Sequence, residues 1–105
     1  MSDVSQDVFQ AAFCAERLKA LGDPLRLRMM DLLRHGEMTV SDISEFLETE
    51  MATVSHHLQI LKNAHLVAPR RDGRFIYYSL PKELFCNSGK SRKTFDLGCC
   101  TIEVP

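Results

Sequence analysis

The sequence predicts a mainly α-helical domain with a β-hairpin wing, arranged as a winged helix-turn-helix. Residues 54–62 have the spacing of a helix with one apolar and one hydrogen-bonding face, and a basic hairpin follows at residues 70–78. A polar helix face beside an arginine-tipped hairpin has the outline of a surface that reads DNA.

Residues 6–21 have the periodicity of a first helix with a wide apolar surface. Its stripe consists of Val8, Ala11, Ala12, Ala15 and Leu18, broadened by Phe9, Phe13 and Leu21. A chain of 105 residues has a modest core. We therefore expect a homodimer in which the first helix and the C-terminal segment bury apolar surface against their mates.

The second and third helices have recognisable first residues. Asp23 is a predicted N-cap with Pro24 at the first helical position, and this helix continues over residues 25–33. Thr39 caps the third helix, with Asp42 in the position that completes a capping box. The predicted inner face of the third helix is Ile43, Phe46 and Leu47.

A fourth helix follows a short turn at residues 49–51 and is the predicted recognition helix. Spacing of four, seven and eleven residues turns one face inward: Val54, Leu58, Leu61 and His65. His57 leans toward that face and is expected to hydrogen-bond within the domain. The other faces carry groups that suit base edges and phosphates, although an ordinary solvated helix also has a polar face.

The hairpin is predicted to turn at Asp72-Gly73, where both central positions tolerate a positive φ. Pro69 on the first strand predicts an edge strand. Arginines at the tip suit phosphates or the electronegative minor groove. The full set of predicted DNA contacts is Met51, Ala52, Thr53, Ser55, His56, Gln59, Lys62, Arg70, Arg71 and Arg74.

Composition limits the remaining possibilities. The net charge is −1, but residues 36–50 carry five acids and no base, whereas residues 51–80 carry four bases and one acid. A local positive face can bind phosphates because screening limits the reach of charge to about 8 Å. No long apolar run or apolar leader is present, so we expect no membrane contact, a cytoplasmic location and cysteines that remain thiols.

The two predicted regions are a winged helix-turn-helix DNA-binding domain at residues 1–80, whose first helix also dimerises, and a cysteine-containing C-terminal tail at residues 81–105. The tail begins with a helical turn at residues 82–85. Residues 87–93 are then expected to form a flexible basic loop.

Three segments together resemble the ArsR/SmtB family of metal- and stress-sensing repressors: residues 21–28 (LGDPLRLR), 54–58 (VSHHL) and 73–80 (GRFIYYSL). The resemblance extends from about residue 8 to residue 80. It implies a homodimer that occupies an inverted-repeat operator in double-stranded DNA and is released when an inducer binds.

The chain departs from the metal-binding patterns of that family. Its arsenic-sensing members have two cysteines at the start of the third helix, where this chain has Thr39 and Ser41. Hydroxyls are poor ligands for soft ions. The zinc-sensing members use histidine on a final helix, and this chain has no histidine after His65.

Three of the four cysteines lie in the last 20 residues: Cys86, Cys99 and Cys100. We predict that they bind a thiophilic metal or metalloid ion or respond to oxidation or persulfides. The alternative is a structural strand over residues 99–104. Adjacent cysteines converge on one ion only if the chain turns there, which Gly98 permits. Cys14, on the first helix, is expected to be a core residue.

The helix and hairpin predict a DNA-binding protein, and the family resemblance implies that it is a transcriptional repressor released by an inducer, for which the cysteines suggest a metal, a metalloid or a thiol oxidant. A winged-helix protein-interaction module without DNA binding is the alternative, because the third helix is acidic and Glu50 precedes the recognition helix. An enzyme is not expected, since no nucleophile, base and orienting group have a recognisable spacing and no phosphate-binding loop is present.

Overall fold

The computed structural model describes residues 10–84 and 94–103. Within these residues the helices are α1 (Ala11–Ala20), α2 (Pro24–Leu33), α3 (Val40–Leu47) and α4 (Met51–Asn63). The strands are β1 (Met38–Thr39), β2 (Ala68–Asp72), β3 (Phe75–Ser79), β4 (Thr94–Asp96) and β5 (Thr101–Glu103), and a 3₁₀ turn covers Lys82–Leu84. The predicted winged helix-turn-helix is confirmed.

Local hydrogen bonds begin α2 and α3 where the sequence predicts. The Asp23 carboxylate accepts from the backbone N–H groups of Leu25 and Arg26, at 3.0 and 3.1 Å. The Thr39 hydroxyl accepts from the N–H of Asp42 at 3.1 Å, and the Asp42 carboxylate accepts from the N–H of Thr39 at 3.2 Å. Each carboxylate or hydroxyl satisfies donors that a helix start leaves unpaired.

The helix-turn-helix packs its inner faces into one core, but two predicted inner residues are exposed. Val54, Leu58 and Leu61 of α4 are fully buried, as the spacing predicts. His65 is exposed because α4 ends at Asn63 and His65 adopts a left-handed φ of 60°. Phe46 of α3 is 67% exposed, because the eight-residue α3 turns only its Ile43 and Leu47 edge inward.

The wing is a three-stranded sheet in the order β1-β3-β2. β2 is an edge strand, which confirms the inference from Pro69. Asp72 pairs with Phe75, so the two turn residues are Gly73 and Arg74, one position later than predicted. Gly73 has a φ of 63°. A turn with a positive φ at its first central position favours glycine there, which explains the shift.

The C-terminal segment packs on the same core as the helices. β4 and β5 form an antiparallel hairpin, and Phe95 and Leu97 are fully buried. The helical turn predicted at residues 82–85 is present as Lys82–Leu84. Cys86 and the predicted basic loop at residues 87–93 lie outside the described residues. Among the described helices, none combines the length and the apolar character that crossing a membrane requires.

The buried side of α1 is not its apolar stripe. Cys14, Arg17 and Ala20 face the core, whereas the stripe residues of the described part are exposed in the single chain: Ala11, Ala12, Ala15 and Leu18. Phe13 and Leu18 are 40% and 44% exposed. One copy of the chain therefore leaves an apolar face of α1 uncovered.

Candidate nucleic-acid interface and thiol cluster

The outer face of α4 presents the predicted base-reading side chains to solvent. All seven are exposed: Met51, Ala52, Thr53, Ser55, His56, Gln59 and Lys62. The Gln59 amide donates to the Asn63 side chain at 3.1 Å. The fully buried stripe on the opposite side fixes the rotation of α4 about its own axis, so this polar face points away from the core.

His57 attaches α4 to the start of α2. The Arg26 guanidinium donates to Nδ1 of His57 at 2.9 Å, and it also donates to the carbonyl of Ala20. Because the arginine can only donate, this contact makes Nδ1 the acceptor and puts any proton of a neutral ring on Nε2. The expected hydrogen bond of His57 within the domain is confirmed.

The arginines of the wing have different surroundings. Arg70 forms two hydrogen bonds to the carboxylate of Glu37, at 2.6 and 3.1 Å, and lies over the Tyr77 ring. The hydrogen bond from Arg70 lowers the pKa of Glu37, and Glu37 raises the pKa of Arg70. Much of the charge of Arg70 is thus offset by Glu37, a partner that the sequence analysis did not identify.

Arg71 and Arg74 carry the positive charge at the tip. Both are exposed, and Arg74 contacts the Phe75 ring with its guanidinium carbon 5.6 Å from the ring centroid. Within the described residues neither forms an ion pair. These two arginines are therefore better placed than Arg70 to meet a phosphate.

Three cysteines meet between α1 and the turn that joins β4 to β5. Cys14 and Cys99 form a disulfide with their Cα atoms 5.9 Å apart, and the Sγ of Cys100 lies 3.7 Å from that of Cys14 and 3.8 Å from that of Cys99. The expectation of four thiols differs from this structure, because α1 and the turn bring two cysteines within bonding range. We call these three residues the thiol cluster.

Cys14 is buried, as expected of a core residue. Its sulfur also contacts the sulfurs of Cys99 and Cys100, which was not expected. The chain turns at Cys99 and Cys100, as the convergence of both sulfurs on one ion requires. Gly98 has a φ of 90°, and the N–H of Leu97 donates to the carbonyl of Cys100 at 2.8 Å. Among the described residues, Cys14 occupies the third position that was assigned to Cys86.

Arg17 connects the thiol cluster to the recognition helix. It is 6% exposed and donates to the carbonyls of Ala64 at 3.1 Å, His65 at 3.0 Å and Leu97 at 2.9 Å. Burial lowers the pKa of its guanidinium, and the charges of Glu83 and Asp96 act in the opposite direction. One side chain thus holds the C-terminal end of α4 and the turn that carries the tail cysteines.

Comparison with known proteins identifies the family. The family described as "Bacterial regulatory protein, arsR family" matches residues 23–68. The transcriptional repressor SdpR of Bacillus subtilis is 48% identical over 62 residues, which are 59% of this chain and 69% of that protein. The arsenical resistance operon repressor of Staphylococcus xylosus is 35% identical over 85 residues, covering 78% and 82% of the two chains.

This chain belongs to the ArsR family of bacterial regulatory proteins. The solution structure of the homodimeric winged helix-turn-helix DNA-binding domain of Mb0332 from Mycobacterium bovis has the same fold, with a TM-score of 0.69 and 35% identity over 76% of this chain and 72% of that one. The ArsR-family chain is therefore a DNA-binding transcriptional regulator. The comparisons do not support the reading as a protein-interaction module.

Sequence reasoning missed three residues of this ArsR-family protein that connect distant segments: Cys14 as a cluster member, Arg17 and Glu37. Arg17 had one detectable sign, since it is a charged residue between Cys14 and Leu21 on a helix that is otherwise apolar on that side. Glu37 had none, because its partner Arg70 is 33 positions away.

Proposed function

We propose that this protein is a transcriptional repressor that binds an inverted-repeat operator as a homodimer and is released when an inducer reaches its cysteines. The observation that carries the proposal is the solvent-facing polar side of α4 beside the basic tip of the wing. In this arrangement α4 enters the major groove and reads base edges, while Arg71 and Arg74 contact phosphates or the minor groove.

The uncovered face of α1 supports the homodimer. Phe13 and Leu18 remain 40% and 44% exposed in one copy, and the related Mb0332 domain is described as homodimeric. A two-fold axis would place the two α4 helices in successive major grooves about 34 Å apart, which requires two half-sites in inverted orientation. Residues 1–80 would supply the DNA contacts and the dimer contacts of α1.

The C-terminal tail, residues 81–105, would carry the response to the inducer. Support comes from the thiol cluster, since soft thiolates suit thiophilic metal and metalloid ions, and paired thiols suit oxidation. The similarity to a repressor of arsenical resistance operons points to the same class of inducer. We place the protein in the cytoplasm, where DNA and reducing thiols are both present.

The DNA step is tested by fluorescence anisotropy with labelled promoter DNA from the protein's own operon. Arg74→Ala should weaken binding to all sequences and reduce the slope of log affinity against log salt by about one. Thr53→Ala and Ser55→Ala should instead change which bases are preferred. Lys19→Ala, which removes an exposed positive charge from α1, is the matched control and should have neither effect.

Two results would contradict the proposal. Equal affinity of the wild type for promoter and for unrelated DNA would refute specific binding. An Arg74→Ala variant with the salt slope of Lys19→Ala would show that the wing does not contact DNA.

A further inference from the structure

We propose that Cys14, Cys99 and Cys100 form a three-thiolate site for a soft, three-coordinate ion, with trivalent arsenic as its ligand. The structure holds this site in its oxidised form, closed by the Cys14–Cys99 disulfide. This site would be the inducer site of the proposed function. Only the effect of the bound ion on DNA binding rests on that function.

The sulfur positions fit such an ion. All three sulfurs lie within 4.8 Å of one another. Metal–thiolate bonds of about 2.3 Å place neighbouring sulfurs roughly 3.5–3.8 Å apart at tetrahedral or slightly smaller angles. The distances from the Cys100 Sγ to those of Cys14 and Cys99, 3.7 and 3.8 Å, agree with two of the three separations that a bound ion would require.

The number of donors selects the class of ion. Within residues 10–84 and 94–103, no histidine, aspartate or glutamate joins the three cysteines in this group. Structural zinc sites need four protein ligands, whereas trivalent arsenic is satisfied by three thiolates. The site therefore favours arsenic over zinc.

The backbone of the turn holds the site in place before an ion arrives. The Asp96 side chain accepts from the N–H of Gly98 at 2.9 Å, and Arg17 holds the carbonyl of Leu97. Cys14 is on the rigid helix α1, three residues before Arg17. Two of the three ligands thus come from a turn held by hydrogen bonds and the third from a helix, so the rearrangement that binding requires is confined to the position of α1 relative to the turn.

Loading the site takes two balanced steps. A dithiol reductant first donates two electrons and two protons to the Cys14–Cys99 disulfide and becomes a disulfide itself. Arsenous acid, As(OH)₃, then reacts with the three thiols. Three As–S bonds form, three As–O bonds break, and each thiol proton leaves with one hydroxide as water. Arsenic stays trivalent throughout.

Arg17 provides the route from the site to DNA. Its bonds to the carbonyls of Ala64 and His65 hold the end of α4, and its bond to Leu97 holds the turn. Opening the disulfide and closing the three thiolates on an ion changes the position of α1 relative to the turn. A ligand that favours one such arrangement shifts the recognition helices of the dimer and thereby lowers operator affinity.

The test uses the full-length protein, reduced with a phosphine, which has no thiol to compete for the ion. Arsenite is added and the complex is measured by native mass spectrometry. A three-thiolate complex gains one arsenic and loses three protons, whereas a two-thiolate complex retains a hydroxide. We expect the three-thiolate mass in the wild type and in Cys86→Ser, the matched control, and no comparable complex with zinc.

Cys14→Ser, Cys99→Ser and Cys100→Ser should each weaken arsenite binding by more than about 100-fold, because even outer-shell partners contribute about 10–100-fold. Cys100→Ser is the decisive variant, since Cys100 is outside the disulfide and a purely structural disulfide would not need it. Circular dichroism of the reduced variants separates loss of the site from loss of the fold.

The proposal is overturned if the reduced wild type binds no arsenite, if it retains a hydroxide, or if Cys86→Ser loses binding while Cys100→Ser keeps it. Anisotropy with operator DNA separates the two proposals. Arsenic binding without release of DNA would leave the site standing and refute the inducer step. Failure to bind DNA at all would refute the proposed function. The three-thiolate site would then be tested by the mass measurement alone.

Discussion

Replacing Arg17 with methionine removes the only described side chain that hydrogen-bonds to both the end of α4 and the β4–β5 turn. Methionine keeps a similar length and a good helix propensity in α1. The three carbonyls of Ala64, His65 and Leu97 would then lose their charged donor in a buried location. We expect Arg17→Met to destabilise the fold and to loosen the connection between the thiol cluster and α4.

The expected loss in the free energy of unfolding is calculated from the three hydrogen bonds of Arg17. A hydrogen bond to a charged group contributes about 1.5–3 kcal/mol, so three such bonds set an upper limit of about 9 kcal/mol. Burial of the guanidinium costs part of this gain, and bonds within one network are not additive. We expect a loss of about 3 kcal/mol, which lowers the urea midpoint by about 1–3 M for a protein of this size.

The assay is urea unfolding followed by circular dichroism at one fixed protein concentration, because dimerisation contributes to the measured stability. Lys19→Met on the exposed side of the same helix is the control and should change stability by less than about 0.5 kcal/mol. If the Arg17→Met midpoint equals that of Lys19→Met, the three bonds do not hold these segments together.

Two further predictions concern the dimer and the start of α2. Light scattering should show a dimer at micromolar concentration, and Leu18→Glu should weaken it about ten-fold or more, since a buried leucine contributes about 1.5–3 kcal/mol; a wild-type monomer would refute the dimer. The hydrogen bond from the backbone N–H of Arg26 lowers the pKa of Asp23 in the folded state. The ionised Asp23 therefore stabilises the fold fully above the unfolded-state pKa of about 3.9. This stabilisation is lost as the pH falls through the folded-state pKa. Asp23→Asn retains an acceptor but cannot titrate, so its urea midpoint should fall less than that of the wild type between pH 5 and pH 2; parallel profiles would contradict this.

Most of the helix-turn-helix could be predicted because its determinants are local. The caps at Asp23 and Thr39 act on N–H groups two or three residues away, and the stripe on α4 depends only on helical spacing. The predictions that were wrong concern the ends of helices and strands. His65 follows the last turn of α4, and the wing turns at Gly73 and Arg74 because strand pairing sets the register.

The solvent exposure of the predicted DNA contacts on α4 could also be predicted, since exposure of one helix face follows from burial of the other. The exception in the wing is Arg70, whose charge is offset by Glu37. A count of charges along the chain cannot show this pairing, because the antiparallel contact of β1 with β3 brings Glu37 to the wing.

The amino-acid sequence by itself determined the order of the four helices and the hairpin, the polar side chains that α4 exposes to solvent, and the presence of a cysteine-containing tail. Only the tertiary structure decided which residues form the thiol cluster and how it is connected to α4. Cys14 and Cys100 are separated by 86 positions and Arg17 and Leu97 by 80. Periodicity describes neighbours within one element, whereas contacts over such distances depend on how the elements pack against a shared core.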